Sequence, residues 1–367
     1  MWTLDDLFGG TRQLTTGQLT VASTALAPRS ATLRSVLFPF FCVVAALTVN
    51  GILLLVLGAD PIFAYKTMVL GGLGSAQALS DTLAKTVPIA LIAFGVMLTF
   101  RCGVWNIGGE GQFYSGAIAA AICGILLDLP PIVLLPLEIA AGILAGALTA
   151  YVPAVLKARF HANEILVTLM LNYIPLYLAL YVIQGPFSNG LAAKTLDIHS
   201  GGELPWLILG QLRLHAGLLF VLACAAAVGV LMQRTTFGYK IRAIGSNPHA
   251  ARAVGIDVVR TQFWTFILAG GFGGLAGMIQ VAAIHHNLLE GISAGFGFTA
   301  IVAALLGRLQ PLAVLLASFA FAALLVGGDS MQRVAKIENS TVFVIEGLIL
   351  LFLLAGRIIG REQTQIG

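Results

Sequence analysis

Ten apolar runs, each near the length that crosses a lipid bilayer, leave this chain few ways to fold. A membrane-crossing helix needs about 20 mostly apolar residues, and residues 35–58 form one such run without a charge between Arg34 and Asp60. Only 10% of the 367 residues are charged, against about 25% in a soluble domain. We therefore predict an all-α polytopic membrane protein of about ten transmembrane helices. The predicted spans are 35–58, 83–100, 112–127, 132–156, 165–183, 214–233, 262–284, 292–307, 309–327 and 341–356.

Lysine and arginine are unevenly divided between the two sides of such a bundle, and the cytoplasmic side is usually the richer one. If the N-terminus lies inside and ten spans alternate, 14 of the 20 Lys and Arg residues fall on the inner side. We therefore expect both termini in the cytoplasm. Residues 1–33 are then a polar N-terminal tail, 34–357 the transmembrane domain and 358–367 a C-terminal tail.

Several function classes find no support in the sequence. The four cysteines, Cys42, Cys102, Cys123 and Cys224, stand singly, without the CxxC spacing of a metal or redox site. No basic stripe indicates a nucleic-acid partner, and no HExxH motif is present. A phosphate-binding GxxxxGK[ST] motif is absent as well. We expect no cofactor or metal on this chain, and if ATP drives the protein, the ATPase is another chain.

Glycine repeats predict a tightly packed bundle. Gly142 with Gly146, and Gly270 with Gly274, stand four residues apart within predicted spans. Small residues at this spacing let helix backbones approach closely in lipid. The pattern describes packing and gives no information about a substrate.

The stretch "RCGVWNIGGEGQF" (Arg101–Phe113) interrupts the apolar pattern between the second and third spans. Its four glycines predict a discontinuous segment near 101–113, and non-helical backbone within a membrane is tolerated only inside protein or beside a wet cavity. Its amides, carboxylate and rings are candidates for a substrate pathway: Trp105, Asn106, Glu110, Gln112 and Phe113. A structural interpretation stays open, in which Glu110 caps a helix or pairs with Arg101 and Asn106 satisfies freed backbone.

Four further residues join the candidate pathway. Asn172 lies about two helical turns beyond Glu164 on roughly the same face, deeper than Asn163, which suits a helix N-cap. Gln280, Phe296 and Phe298 belong to later spans, where a phenylalanine is more often a packing residue.

The longest basic segment, "RTTFGYKIRAIGSNPHAARAVGID" (234–257), predicts two short helices joined by a tight turn. Phe237, Ile241 and Ile244 fall at helical spacing, Asn247 suits an N-cap and Pro248 the first helical position. Two interpretations remain: an amphipathic pair resting on lipid headgroups, or a docking surface for a cytoplasmic partner.

Together with three other motifs, this segment resembles ABC-importer permeases of the ribose/nucleoside branch. The other motifs are "GVWNIGGEGQ" (103–112), "NEILVTLMLNYI" (163–174) and "GFGFTAIVAALLGRLQP" (295–311). The motifs at 103–112 and 163–174 are similar to signatures of the nucleoside-type members, and the likeness extends over roughly 35–357. "RCGVW" departs from the more usual version of its motif. This departure affects the packing expected around the motif more than the assignment to the family.

The resemblance implies a larger-core ABC importer permease in a bacterial inner membrane, with cytoplasmic coupling helices in 234–260. Its partners would be ABC ATPase subunits that bind ATP and Mg²⁺, a second related permease that forms a heterodimer with this chain, and an extracytoplasmic substrate-binding protein. A homodimer of this chain is the alternative to the heterodimer. The implied ATPase-coupling residues are Thr236, Phe237, Gly238, Lys240, Arg242, Ile244, Asn247, Pro248 and Arg252.

The expected function is import of nucleosides, purine nucleosides first, by alternating access. Amides and a carboxylate can meet sugar hydroxyls and base edges, and aromatic rings offer stacking faces. A simple-sugar permease of the same class is the alternative. An ion-coupled carrier is less favoured because it needs an intramembrane titratable relay, and Glu110 stands nearly alone.

Overall fold

The computed structural model describes residues 29–365 apart from 191, 210–211 and 339. Its contacts divide the chain after Phe41. Of the first unit, the described part is the beginning of helix α1, and the predicted tail 1–28 lies outside the described residues. The second unit starts at Cys42 and contains the helical bundle.

Helices make up most of the described chain, as the composition predicts. They are α1 Arg29–Val56, α2 Pro61–Leu73, α3 Ala76–Arg101, α4 Gly109–Leu126, α5 Pro131–Phe160, α6 Glu164–Leu171, α7 Tyr173–Gln184, α8 Gly217–Arg234, α9 Thr236–Ser246, α10 Pro248–Ala253, α11 Val258–Gln280, α12 Phe296–Leu306, α13 Pro311–Ala335 and α14 Ser340–Gln365. A turn of π-helix, Val281–His285, extends α11.

Among the described residues, six helical stretches are long and apolar enough to cross a membrane, which supports a multi-pass membrane protein. They are α3, α5, α6 with α7, α8, α11 with its π-turn, and α13. Shorter apolar helices cover Phe41–Val56, Phe296–Leu306 and Ser340–Ala355. The prediction of about ten spans is not confirmed, because several predicted spans are helices shorter than a bilayer requires.

The core is built around α11, which packs against α3, α4 and α5. The predicted glycine pairs are the points of closest approach. A Cβ on Gly274 would overlap the Gly142 carbonyl, and one on Gly146 would overlap the Gly270 carbonyl. The absence of side chains at these positions lets the α5 and α11 backbones touch.

A cap segment, residues 185–216, closes one end of the bundle and contains the only strands among the described residues. Strands β1 (Trp206–Leu209) and β2 (Leu212–His215) form an antiparallel hairpin. The Thr195 amide donates to the Leu288 carbonyl at 2.8 Å, which ties the segment to the residues after α11. Hydrogen bonds from Asn287 and Lys194 hold the pKa of Asp197 below its usual range.

The opposite end carries a cluster of nine basic residues, and we call it the basic end. Helices α3, α5 and α8 finish there, α11 and α13 begin there, and α9 and α10 lie across it. Its basic residues are Arg101, Lys157, Arg159, Arg234, Lys240, Arg242, Arg252, Arg260 and Arg308.

Candidate functional site

The chain leaves helical geometry between the end of α3 at Arg101 and the start of α4 at Gly109, where the sequence predicts a discontinuity. Gly103 has a φ of +73°, a value that favours glycine. The segment starts at the basic end, where an added Gly103 Cβ would lie 3.8 Å from the Gly245 Cα of α9. It finishes next to Ile92, about 9 residues back along α3, so it runs into the interior of the bundle.

Asn172, between α6 and α7, holds this broken backbone in place. Its Oδ1 accepts the Gly111 N–H at 2.8 Å, and its Nδ2 donates to the Ile107 carbonyl at 2.9 Å. One turn earlier, the Thr168 hydroxyl accepts the Ile107 N–H at 3.2 Å. Backbone groups freed from a helix must find such partners when buried.

Asn106 and Gln112 form a second clamp. Their side-chain amides exchange two hydrogen bonds, of 3.3 and 3.1 Å, and the Asn106 Oδ1 also accepts the Gly108 N–H at 3.0 Å. Both side chains are buried. In this conformation Asn106, Gln112 and Asn172 therefore satisfy backbone and one another, which agrees with the structural interpretation that the sequence left open.

Glu110 connects the start of α4 to the start of α12. Its Oε2 accepts the Gly297 N–H at 2.7 Å, and Ser293 also bonds to the carboxylate. Free N–H groups and the helix dipole favour an anion at this position. Glu110 is therefore a cap of a helix that lies far away in the sequence. The Arg101 side chain instead bonds to the Leu309 carbonyl.

Three other candidates pack in the interior. The rings of Phe113 and Phe296 meet edge to face with centroids 6.0 Å apart, and both are buried. Gln280, near the end of α11, is also buried, and its Nε2 lies 3.2 Å from a ring nitrogen of His285.

Trp105 and Phe298 lie on a cavity of about 500 Å³ between the break, α12 and α14. Both are partly exposed, 39% and 47% respectively. They are the two candidate pathway residues that this cavity brings together. The rest of its lining is Ile107, Ile301, Val302, Leu305, Phe343, Glu346, Gly347, Leu350 and Leu354.

Glu346 is the acidic residue of this cavity, and our sequence analysis missed it. It is buried in α14, and the Thr299 hydroxyl lies 3.1 and 2.9 Å from its two oxygens. A lone carboxylate in an apolar span is a recognisable signal, because such residues are costly in a membrane and usually functional. The first turn of α12 thus supplies Gly297 to Glu110, Phe298 to the cavity and Thr299 to Glu346.

At the basic end, α9 and α10 have the two-helix form that the sequence predicts. The Asn247 Oδ1 accepts the N–H groups of His249 and Ala250 at 3.0 and 3.1 Å. Ile241 and Ile244 are buried, whereas Lys240 and Arg252 are exposed. Of the other predicted coupling residues, Gly238 is buried, Thr236, Asn247 and Pro248 are exposed, and Phe237 and Arg242 are half-buried.

The α9 helix is pressed against two elements of the bundle. A Cβ on Gly238 would overlap the Leu231 carbonyl of α8, and one on Gly245 would overlap the Arg101 carbonyl at the end of α3. The discontinuous segment begins just after Arg101, so α9 contacts the residue from which this segment starts.

Comparisons with known proteins place this arrangement among transport proteins. A family model described as "branched-chain amino acid transport system / permease component" matches residues 78–354, which include the break, the cavity and α9–α10. The chain is 34% identical to the glucose ABC transporter permease protein TsgB13 of Haloferax volcanii over 89% of each chain. It is 30% identical to the guanosine ABC transporter permease protein NupP of Bacillus subtilis, over 87% of this chain and 93% of that one. It is 28% identical to the nucleoside ABC transporter permease protein NupB of Lactococcus lactis, over 87% and 91%.

Proposed function

This chain belongs to the family of permease components described for branched-chain amino acid transport systems, and from that premise we propose that it imports nucleosides, purine nucleosides first, as a subunit of an ATP-driven ABC importer. It is a multi-pass membrane transport subunit and not an enzyme, and ATP hydrolysis belongs to a separate chain. The family implies ATPase subunits and a substrate-binding protein as partners.

The observation that carries the nucleoside assignment is the cavity between the break, α12 and α14. Trp105, Phe298 and Phe343 offer faces for a base, and Glu346 offers two acceptor oxygens for ribose hydroxyls. A volume of about 500 Å³ is within the usual range for a small-molecule site. NupP is named as a guanosine permease and NupB as a nucleoside permease, and both relatives support the same substrate class.

The remaining pathway residues act in this proposal by shaping the wall of the cavity. Asn106, Gln112 and Asn172 hold the break, Glu110 holds α12 against it, and Phe113, Phe296 and Gln280 fill the space behind. A change in their hydrogen bonds would move Trp105 relative to Phe298. Alternating access then needs two stable arrangements of the break and α12.

ATP-driven movement enters at α9 and α10 in this proposal. The ATPase subunits, which hold ATP and Mg²⁺, contact the exposed residues of the two helices, including Lys240 and Arg252. The buried face of α9 passes the displacement to Arg101 and so to the discontinuous segment. No cofactor is needed on this chain.

The setting is a bacterial inner membrane with both termini in the cytoplasm, since the basic end is then the inner one. We propose a larger-core bundle of about ten spans. The shorter apolar helices would count among these spans, each reaching partway through the bilayer near the discontinuous segment. We further propose a heterodimer with a second, related permease. In this arrangement 34–357 is the transmembrane domain, with 1–33 and 358–367 as cytoplasmic tails.

A simple sugar is the second candidate substrate, because the glucose permease TsgB13 is 34% identical to this chain. A sugar would use Glu346 in the same way but would leave the aromatic faces without a base to stack on. The two candidates therefore differ in their dependence on Phe298.

The test is uptake by cells that express single variants. Glu346→Gln should lower nucleoside uptake by about tenfold, because it replaces one of the two carboxyl oxygens by an amide N–H₂ group, and Phe298→Ala should also lower it. The exposed residues Glu338 and Phe160 provide the matched controls Glu338→Gln and Phe160→Ala. Unchanged uptake in both cavity variants, at equal amounts of protein in the membrane, would contradict the cavity assignment. Unchanged uptake in both Asn106→Ala and Glu110→Gln would exclude these two residues from the pathway.

A further inference from the structure

A second cavity, of about 840 Å³, opens between α8 and α13 and reaches the basic end. Its walls are apolar and small: Ala225, Ala226 and Gly229 leave room along α8, and a Cβ on Gly229 would meet no atom within 4 Å. Leu222 and Leu312 on its rim are exposed, 49% and 74% respectively. In a membrane-spanning bundle, such a rim faces lipid.

Two arginines stand at the basic end of this groove with no acidic residue in its lining. Arg101 comes from α3 and Arg242 from α9, close enough for their charges to repel. Neither forms an ion pair with any residue in the part of the chain that the structure describes. An anion bound between the two guanidinium groups would offset their mutual repulsion.

The start of α13 adds to the attraction. Gln310, Pro311 and Leu312 line the same groove, so the first turn of α13, whose N–H groups have no partner within the helix, borders it. The Arg101 Nε donates to the Leu309 carbonyl at 3.1 Å, which fixes one arginine beside this helix start. The Gln233 amide, at the end of α8, is a further donor in the lining.

We propose that this groove binds an anionic phospholipid, with its phosphate between Arg101 and Arg242 and an acyl chain along Gly229. The shape of the groove favours a lipid over a free anion. Its charged end continues into an apolar channel, and this channel is open at the rim formed by Leu222 and Leu312. Basic pockets between transmembrane helices on the cytoplasmic side recognise such headgroups. Since Arg242 belongs to α9, the lipid would join the coupling helix to the bundle.

The experiment uses the full chain purified with its partner subunits in phosphatidylcholine bilayers with and without phosphatidylglycerol. The amount of bound phosphatidylglycerol, measured by mass spectrometry, and the rise in melting temperature are the two readouts. In Arg101→Gln with Arg242→Gln, we expect bound phosphatidylglycerol to fall on the order of tenfold or more. Arg234→Gln with Arg260→Gln, which removes two exposed charges from the same end, is the control and should retain the lipid.

Gly229→Leu provides a test that leaves both arginines in place. Because nothing lies within 4 Å of its Cβ, the side chain should enter the groove without disturbing neighbouring helices, and it should displace the lipid chain. Equal retention of phosphatidylglycerol in the double-arginine variant and in Gly229→Leu would overturn the proposal. It would also fail if inorganic phosphate stabilised the protein as much as the lipid does, or if the double-arginine variant lost its ATPase subunits but kept its phosphatidylglycerol.

Discussion

The Glu110 carboxylate accepts the backbone N–H of Gly297 at 2.7 Å, although the two residues are 187 positions apart in the chain. The contact joins the first turn of α4 to the first turn of α12, so two helix starts meet where the backbone is broken. Helix starts leave N–H groups unpaired, and here one carboxylate serves the distant helix. The cavity that contains Trp105 and Phe298 is built on this junction.

Removing the carboxylate should loosen α12. Glu110→Ala leaves the buried Gly297 N–H without its acceptor, and we expect a loss of about 2 kcal/mol of unfolding free energy. Glu110→Gln keeps an acceptor oxygen and should lose less. Thermal unfolding of the purified protein measures both, with the exposed Glu290→Ala as control. An Ala variant as stable as the control would show that Glu110 does not cap α12.

Loss of the Asn172 side chain, which holds the discontinuous segment, should destabilise the protein more than loss of an ordinary helix cap. Asn172→Ala leaves the Ile107 carbonyl and the Gly111 N–H unpaired inside the protein, at a cost of about 2 to 3 kcal/mol. Asn163→Ala removes the exposed N-cap of α6 and should cost about 1 kcal/mol. The comparison of their melting temperatures checks the difference. Equal effects would mean that the break is held by something other than Asn172.

Close packing of α5 on α11 should make Gly274 intolerant of a single methyl group. Gly274→Ala would press against the Gly142 carbonyl and should cost about 1 to 3 kcal/mol through overpacking. Gly347→Ala in α14 is the matched control, since no atom lies within 4 Å of its added Cβ. Thermal unfolding reports the contrast, and a neutral Gly274→Ala would contradict backbone contact between the two helices.

Coupling between substrate transport and ATP hydrolysis should fail when α9 is displaced and the charge of Arg242 is reversed. Gly238→Trp with Arg242→Glu drives α9 away from the Leu231 carbonyl of α8, so substrate-stimulated ATP hydrolysis by the partner subunits should be lost. Arg260→Glu, an exposed charge reversal at the same end, should leave that activity in place. Hydrolysis and complex assembly that match the control would refute the docking role of α9 and α10.

Local features could be predicted from the sequence because they depend on neighbouring residues. The N-cap at Asn247 followed by Pro248, the glycine-rich break after Arg101 and the glycine pairs of α5 and α11 are all seen in the structure. Each depends on turn chemistry or side-chain size at fixed spacing.

Features made by distant contacts could not be predicted in this way. Apolar composition does not separate a helix that spans the bilayer from a shorter one, so α12 was predicted as a span although it covers only Phe296–Leu306. The apolar helix α2 was missed as well. Glu346 joins the cavity only because the fold brings α14 against α12. The hydrogen bond from the Gly297 N–H to Glu110 leaves no local trace in either motif.

The measurement that tests the central claim most directly is uptake of radiolabelled purine nucleosides, with ribose and glucose as comparisons, in cells with and without this gene. The account predicts that nucleoside uptake is lost without the gene while uptake of both sugars is unchanged. Loss of sugar uptake with intact nucleoside uptake would contradict the nucleoside assignment and leave a sugar importer built on the same coupling helices.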